Sequence, residues 1–461
     1  MKQRALTLWR RPSAPRWSFA VLAASVLLTA GPLRAQDRLA ITGATIIPIS
    51  GERIENGTIL ISDGRIEAVG ADVDVPVEAK VIDASGQFVM PGIINVHSAA
   101  GMSQANEQNS NVPFLSVIDS IDPIRSFFVE SRRNGVTTAS VVPGNSTMIG
   151  GRAAIVKTAG TYVDDMIVKR DSGLKISMAP TSGSSRMSHY ARLRRELQKA
   201  KDAAAEEAEQ KAAKDKEADK PADDAKEGDS KEDEDKNDKP ETSTPAAGTT
   251  PSAQSETTRV SKETMASLLS GELPAIIYCQ TSMDVPQALS LVDEFGLKPV
   301  LILGRDCYKA AKLVAERKIP VVLDSTMVYW RTDPVTREDE KIVLPRIFAD
   351  AGASFVFQAA DSGTTLGTHY YWYQAATAVR YGMSTDAALK ALTLDAAALL
   401  GIDDAVGSIE AGKDADLVIL SGEPLSVATW VETTIIGGKV AYEKSTDEEL
   451  RLLLNPEEDA N

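Results

Sequence analysis

The chain is poor in the residue types that most often bind transition metals. Its 461 residues include three histidines, His97, His189 and His369, and two cysteines, Cys279 and Cys307. Two cysteines are too few for a disulfide framework, so packing of the core must hold the fold together. Three histidines limit any metal site, because zinc in a protein takes at least three protein donors.

Basic charge and long apolar runs are also scarce. The formal net charge of −15 argues against nucleic acid or an anionic membrane surface as a partner. The apolar run from Phe19 to Ala30 is shorter than the roughly 20 residues that span a bilayer. It follows Arg10 and Arg11, which predicts a signal peptide over residues 1–35 rather than a membrane anchor. Removing that segment takes the formal charge to −21, and we expect a periplasmic or secreted protein with no membrane attachment after cleavage.

Residues 196–262 form a charged insertion. Its first part, to residue 220, is rich in Ala, Glu and Lys and predicts an exposed helix. Residues 221–258 have no apolar periodicity, which predicts disorder. Residues 201–241 carry nine basic and 17 acidic side chains. We expect a solvated loop, with a docking tail as the alternative. Residues 446–461 are expected to form a further acidic tail.

Short β-rich runs occur near both ends of the chain. In residues 36–90 they are separated by turns at Asp63-Gly64 and Ser85-Gly86, and in residues 405–445 the last two are joined by Gly437-Gly438. The two ends are therefore predicted to form one small composite β domain.

Residues 91–404 alternate short apolar strands with amphipathic helices. The strand at 275–278 precedes a helix at 285–295, and the pattern also favours a helix at 144–156 after the strand at 135–142. Such alternation specifies a parallel sheet, and enough units close into a (β/α)₈ TIM barrel. The pattern places six or seven strands. The predicted fold class is α/β, a barrel with the composite β domain attached.

Two motifs carry a family resemblance. Residues 89–99, VMPGIINVHSA, are similar to the opening motif of the amidohydrolase superfamily, PGxIDxHxH. Residues 388–418, which end in GSIEAGKDADLV, are similar to its closing signature. The chain is identified as a member of that superfamily and is most similar to its imidazolonepropionase-like branch. The resemblance implies a barrel that uses zinc or another divalent metal to hydrolyse cyclic or linear non-peptide amide C–N bonds.

Most of the metal ligands that the resemblance implies are missing. The H-x-H motif places two imidazoles at the barrel mouth, because residues i and i+2 of a strand point to the same face. Here the second histidine is replaced by Ala99, and the acidic position is Asn95. On the same resemblance, Tyr278 and Leu303 stand where the fifth and sixth strands have histidines. A shift of one residue makes Cys279 a weak alternative ligand; otherwise it is a buried structural cysteine.

Several polar residues are retained as site candidates. The resemblance implies that Asp361 is the metal-binding, proton-accepting aspartate after the eighth strand, with a helix cap as the alternative. His97 is expected to be a vestigial ligand in a polar pocket, and His369 a further candidate donor. His189 is expected at the surface or in a loop. Residues 142–157 resemble another segment of the branch, in which Arg152 is a candidate for binding a substrate carboxylate or, alternatively, lies beside a structural turn.

The sequence therefore predicts a catalytically degenerate amidohydrolase that binds a small amide, or acts as a partner of an active paralogue or as a homo-oligomer. A zinc site lowers the pKa of bound water from about 15.7 to about 7. Asp361 alone, with an ordinary aspartate pKa near 4, does not replace that effect. The alternative is an active hydrolase with a sparse single-metal site built from His97, Asp361 and either His369 or Cys279.

Overall fold

The computed structural model describes residues 38–218, 253–360 and 370–454. The predicted signal peptide, the centre of the insertion and the end of the acidic tail lie outside these ranges. So do two predicted site residues, Asp361 and His369. Within the described ranges, no helix is long and apolar enough to cross a membrane.

The strands, in chain order, are β1 (Arg38–Ile46), β2 (Ile54–Ser62), β3 (Arg65–Gly70), β4 (Lys80–Asp83), β5 (Phe88–Pro91), β6 (Ile93–Ser98), β7 (Val136–Val141), β8 (Ile149–Lys157), β9 (Ile167–Ser177), β10 (Ala275–Thr281), β11 (Pro299–Asp306), β12 (Val321–Leu323), β13 (Val328–Thr332), β14 (Asp339–Val343), β15 (Phe355–Phe357), β16 (Leu417–Leu420), β17 (Val431–Ile436) and β18 (Lys439–Glu443). The helices are α1 (Ser126–Arg133), α2 (Val163–Met166), α3 (Arg186–Ala218), α4 (Ala253–Ser270), α5 (Asp284–Phe295), α6 (Ala311–Glu316), α7 (Leu344–Asp350), α8 (Tyr371–Arg380), α9 (Thr385–Leu392), α10 (Leu394–Leu400) and α11 (Glu448–Leu454).

One sheet combines strands from both ends of the chain. Its order is β18-β17-β16-β5-β1-β2-β3, with β4 beside β1. The join is the antiparallel pair of β5 and β16, in which Val89 lies opposite Ile419. Alternate apolar residues of these strands, such as Ile41, Ile59 and Ile435, pack into one core. The predicted β unit built from both ends is confirmed.

The second sheet is a nearly closed barrel. Its order is β15-β12-β11-β10-β9-β8-β7-β6, and β15 approaches β6 to close the ring. The predicted TIM-barrel fold is therefore confirmed. We expected a wholly parallel ring, and that expectation was wrong, because β8 runs antiparallel to both β7 and β9.

Strand β8 replaces the helix predicted at residues 144–156, and that prediction was wrong. The alanines of this segment favour a helix, but nearly all residues of β8 are buried, which suits a strand inside a ring. A glycine of β8 also allows a close packing contact. A Cβ at Gly151 would lie 2.9 Å from the carbonyl oxygen of Leu115, so the close approach of the neighbouring backbone requires glycine at this position.

Successive residues of the barrel strands face two different cores. Ile276, Ile302 and Val322 belong to a cluster inside the ring, whereas Cys279 and Leu303 pack in the layer that includes the surrounding helices. In the β10–β11 ladder, Tyr278 lies opposite Ile302 and Cys279 opposite Leu303. Leu303 is therefore not the counterpart of Tyr278, and our sequence placement of it was one residue out.

The insertion emerges from the barrel as two helices, α3 and α4, that contact each other. Leu193 and Leu197 of α3 and Leu268 of α4 are buried in the outer core, which anchors the pair. The predicted helix is present. The predicted disorder was wrong for residues 253–258, because α4 begins at Ala253.

Candidate functional site at the barrel mouth

The barrel mouth is the end of the ring at which the parallel strands have their carboxyl termini, the usual place for chemistry on this fold. Three strands bring side chains together there: His97 near the end of β6, Lys175 near the end of β9 and Tyr278 on β10. Asn145 joins them from the segment after β7. His97 is 5% exposed and Lys175 is fully buried, so these polar groups interact out of contact with bulk water.

A lysine lies at the centre of this cluster. The Nζ atom of Lys175 is 3.1 Å from Nε2 of His97 and donates a hydrogen bond of 2.6 Å to Oδ1 of Asn145. It also lies 5.5 Å from the centre of the Tyr278 ring. Because an ammonium group only donates hydrogen bonds, Nε2 of His97 must accept, and the imidazole proton then lies on Nδ1.

The environment keeps His97 uncharged. Burial lowers its pKa well below the usual histidine value, and the positive charge of Lys175 lowers it further, whereas a hydrogen bond with Gln358 opposes both effects. The backbone N–H of His97 donates to Oδ1 of Asn95 at 3.1 Å. Burial also raises the pKa of Tyr278 to about 12, so its phenol stays protonated at neutral pH.

The described residues do not fit a divalent metal. Among them, no group of three or more His, Cys, Asp or Glu side chains is arranged to hold one. Ala99 provides no donor, and the Nε2 atom of His97 faces an ammonium group rather than an open position. A lysine charge at this distance from the retained histidine would repel a second cation.

Cys279 contributes no ligand to the mouth. It is buried in the layer that packs against the helices, and burial raises the pKa of its thiol to about 12. A protonated thiol in such surroundings is a poor metal ligand. Its backbone carbonyl accepts a hydrogen bond from Cys307 Sγ at 3.1 Å, which agrees with the prediction of a buried structural cysteine rather than a ligand.

Arg152 also lies away from the cluster. It is opposite Leu174 in the β8–β9 ladder, so its side chain is on the face opposite to that of Lys175. Its guanidinium pairs with Asp171 at 2.9 Å and donates to the carbonyl oxygen of Phe114 at 3.3 Å. The structure thus places Arg152 in an ion pair, on the other face of the barrel strands from the candidate site.

His189 is not at the surface, and that prediction was wrong. It lies in the first turns of α3, fully buried, with Nε2 donating to the carbonyl oxygen of Ser177 at 2.9 Å. Helix α3 begins at Arg186, so the segment that we took for a loop packs its first turns on the end of β9. Burial is the largest cause that lowers the pKa of His189.

Sequence reasoning missed Lys175 and Asn145. A signal for the lysine was available, because a charged residue within the short apolar run Leu174–Met178 is unusual in a buried strand. Asn145 lies in the segment that we noted only for its glycines and Arg152.

Known proteins resemble this chain over much of its length. The model of the amidohydrolase family matches residues 172–441. The amidohydrolase tasK of Hapsidospora irregularis is 22% identical over 409 residues, which are 83% of this chain and 39% of that protein. The chain therefore spans about two fifths of that relative.

Two further matches differ in extent. A 5-methylthioadenosine/S-adenosylhomocysteine deaminase of Symbiobacterium thermophilum is 44% identical over 71 residues, 14% of this chain and 16% of that protein. The crystal structure of an amidohydrolase from Thermotoga maritima MSB8 superposes with a TM-score of 0.69 at 26% identity, covering 88% of this chain and all of that one.

Proposed function

Because the chain belongs to the amidohydrolase family, we propose that it binds a small amide or related carbonyl compound at its barrel mouth without a resident metal. Members of the family typically use a divalent metal to act on C–N bonds. The observation that carries the proposal is the 3.1 Å contact between His97 Nε2 and Lys175 Nζ. It occupies Nε2, one of the two ring nitrogens through which a neutral histidine can bind metal.

The magnitude of charge repulsion supports a metal-free mouth. Two unit charges 4 Å apart interact by about 4 kcal/mol at an effective dielectric constant of 20, so a divalent ion beside the Lys175 ammonium would cost roughly twice that. Among the residues that the structure describes, one histidine beside the amide of Asn145 and the phenol of Tyr278 offers too few donors to offset this cost.

The same residues are suited to binding an amide. The ammonium of Lys175, the phenol of Tyr278 and the amide of Asn145 are groups that hydrogen-bond to carbonyl and N–H groups of a ligand. A bound zinc lowers the pKa of water from about 15.7 to about 7, which favours hydroxide formation by roughly 12 kcal/mol. Without a metal, this activation of water is absent. We therefore propose a degenerate member of the family, exported after signal cleavage, that acts as a binding protein or as a partner subunit of an active paralogue.

Metal analysis tests this proposal directly. We expect residues 36–461 to purify with well under one zinc per chain, and added zinc to leave the melting temperature unchanged within a degree. Elemental analysis and thermal unfolding measure both. Stoichiometric zinc that survives dialysis and is removed by His97→Ala would instead establish the sparse single-metal hydrolase.

Ligand binding tests the second half of the proposal. Hydantoin, a cyclic amide, serves as the probe in saturation-transfer NMR. We expect a signal that Lys175→Met abolishes and that Lys312→Met preserves, because Lys312 is an exposed lysine on α6. Equal signals from the two variants would show that the amide does not bind at the mouth.

A further inference from the structure

A second cavity, of about 550 Å³, lies away from the barrel mouth. Asn134, one of its lining residues, lies two residues before the start of β7, so the cavity is near the end of that strand opposite to the mouth. Its walls come from α1, α8, α11 and the β16–β18 part of the composite sheet. Aliphatic side chains line much of the cavity, and five lining residues are aromatic: Tyr370, Trp372, Tyr373, Trp430 and Tyr442.

The polar rim of this aromatic cavity is negatively charged. Glu130, Arg133 and Glu449 line it. Arg133 pairs with Glu130 at 2.7 Å and Glu449 at 2.8 Å, and also with Asp447 at 2.7 Å. Three carboxylates thus share one guanidinium. The hydrogen bond with Asp447 is the largest cause that raises the pKa of Arg133, and Glu449 and Glu130 add to it, as expected where negative potential is in excess.

One aromatic wall already holds a cation. The Nζ atom of Lys444 lies 4.9 Å from the centre of the Trp430 ring while it pairs with Glu432 at 2.8 Å. Trp430 is nevertheless 47% exposed, and Tyr373, which also lines the cavity, is 56% exposed. Aromatic faces attract ammonium groups through the negative charge of the ring face, and recognition of quaternary ammonium uses several such faces together.

We propose that this aromatic cavity is a second binding site, which takes an organic cation with an apolar body, such as an aryl- or alkylammonium compound. The volume lies within the range of small-molecule sites. The aromatic walls match the apolar body, and the carboxylate excess at Arg133 matches the positive charge. Glu130 and Glu449 would repel an anionic ligand. Neither carboxylate would add to the affinity for a neutral apolar ligand.

Calorimetry with three aromatic probes of similar size tests the proposal. We expect benzyltrimethylammonium to bind about tenfold more tightly than benzyl alcohol, and phenylacetate to bind most weakly. Trp430→Leu should weaken binding of the cation about tenfold, and Glu449→Gln should weaken it severalfold while leaving benzyl alcohol unchanged. The matched control is Trp330→Leu, which removes an exposed tryptophan of the β13–β14 hairpin.

Two outcomes would overturn the proposal. One is similar affinity for the cation, the alcohol and the carboxylate. The other is cation binding that Trp430→Leu and Trp330→Leu affect equally. If Trp430→Leu fails to fold, as judged by circular dichroism, Tyr373→Leu replaces it. Lys175→Met is expected to leave cation binding unchanged, which separates this site from the barrel mouth.

Discussion

Two lysines on neighbouring barrel strands, the mostly buried Lys157 and the fully buried Lys175, differ in the groups that their ammonium groups contact. Lys157, at the end of β8, pairs with Asp416 at 2.7 Å and Asp414 at 3.0 Å. Lys175, near the end of β9, lies at the mouth, and its contacts within the described part of the chain include the uncharged groups of His97 and Asn145. Because β8 is antiparallel to β9, the ends of these two strands lie at opposite ends of the ring.

The electrostatics of Lys157 indicate a structural role. Burial alone lowers its pKa, but Asp416 and Asp414 raise it by more, so the pKa is above the ordinary lysine value. Both aspartates belong to the closing signature, just before β16. The ion pairs therefore connect strand β8 of the barrel to the segment that leads into β16. The comparison teaches that burial of a lysine does not by itself mark a site; the groups around it and its position in the ring do.

The largest expected effect is at Lys157. Lys157→Met leaves Asp416, which is nearly fully buried, without its charged partner, and breaking a buried ion pair in this way costs about 3–5 kcal/mol. Denaturant unfolding measures the loss, with exposed Lys312→Met as the control that should change it little. A loss under 1 kcal/mol would mean that the pair does not fasten the two regions.

A smaller loss of stability is expected at Lys175. Lys175→Met leaves uncharged acceptors on His97 and Asn145 without a donor, which costs about 1–3 kcal/mol. The same denaturant experiment compares it directly with Lys157→Met. A loss as large as that of Lys157→Met would end the distinction between a structural lysine and a site lysine.

The smallest effect is a pH dependence due to His97. Its folded pKa is lowered, chiefly by burial and then by Lys175, so folding favours the neutral imidazole. The stability that this provides is present above the unfolded pKa of about 6.5 and is lost as the pH falls below it. Between pH 7.5 and 5.5 the wild-type protein should lose more stability than His97→Asn, by up to about 1.4 kcal/mol. Parallel slopes for the two proteins would show that His97 is not held neutral.

The barrel and the composite β domain were predictable from the sequence because period-two and helical patterns are local, and because two motifs lie at known places in the family fold. Strand β8 could not be predicted in this way. A short buried strand that contains Ala153 and Ala154 cannot be told from a buried helix by its apolar pattern. The register of Leu303 was missed because a shift of one residue exchanges the two faces of a strand without changing its apolar character.

The candidate site was less predictable than the fold. His97 was found because it lies in a motif, whereas Lys175 lies on β9 shortly after the charged residues Lys169, Arg170 and Asp171, which concealed the strand. The contact of Lys175 with His97 joins residues that are distant in sequence. Only the closed ring brings them together.

The pairing of β5 with β16 has a consequence for how the chain is made. Strand β5 leaves the ribosome roughly 330 residues before its partner β16. At about 5–20 residues per second, that is a delay on the order of 20–60 seconds. During this time the edge of β5 that β16 later covers has no native partner, and such an edge invites wrong pairing. The first strands of the protein must therefore wait for nearly all the rest to be synthesised before their sheet is complete.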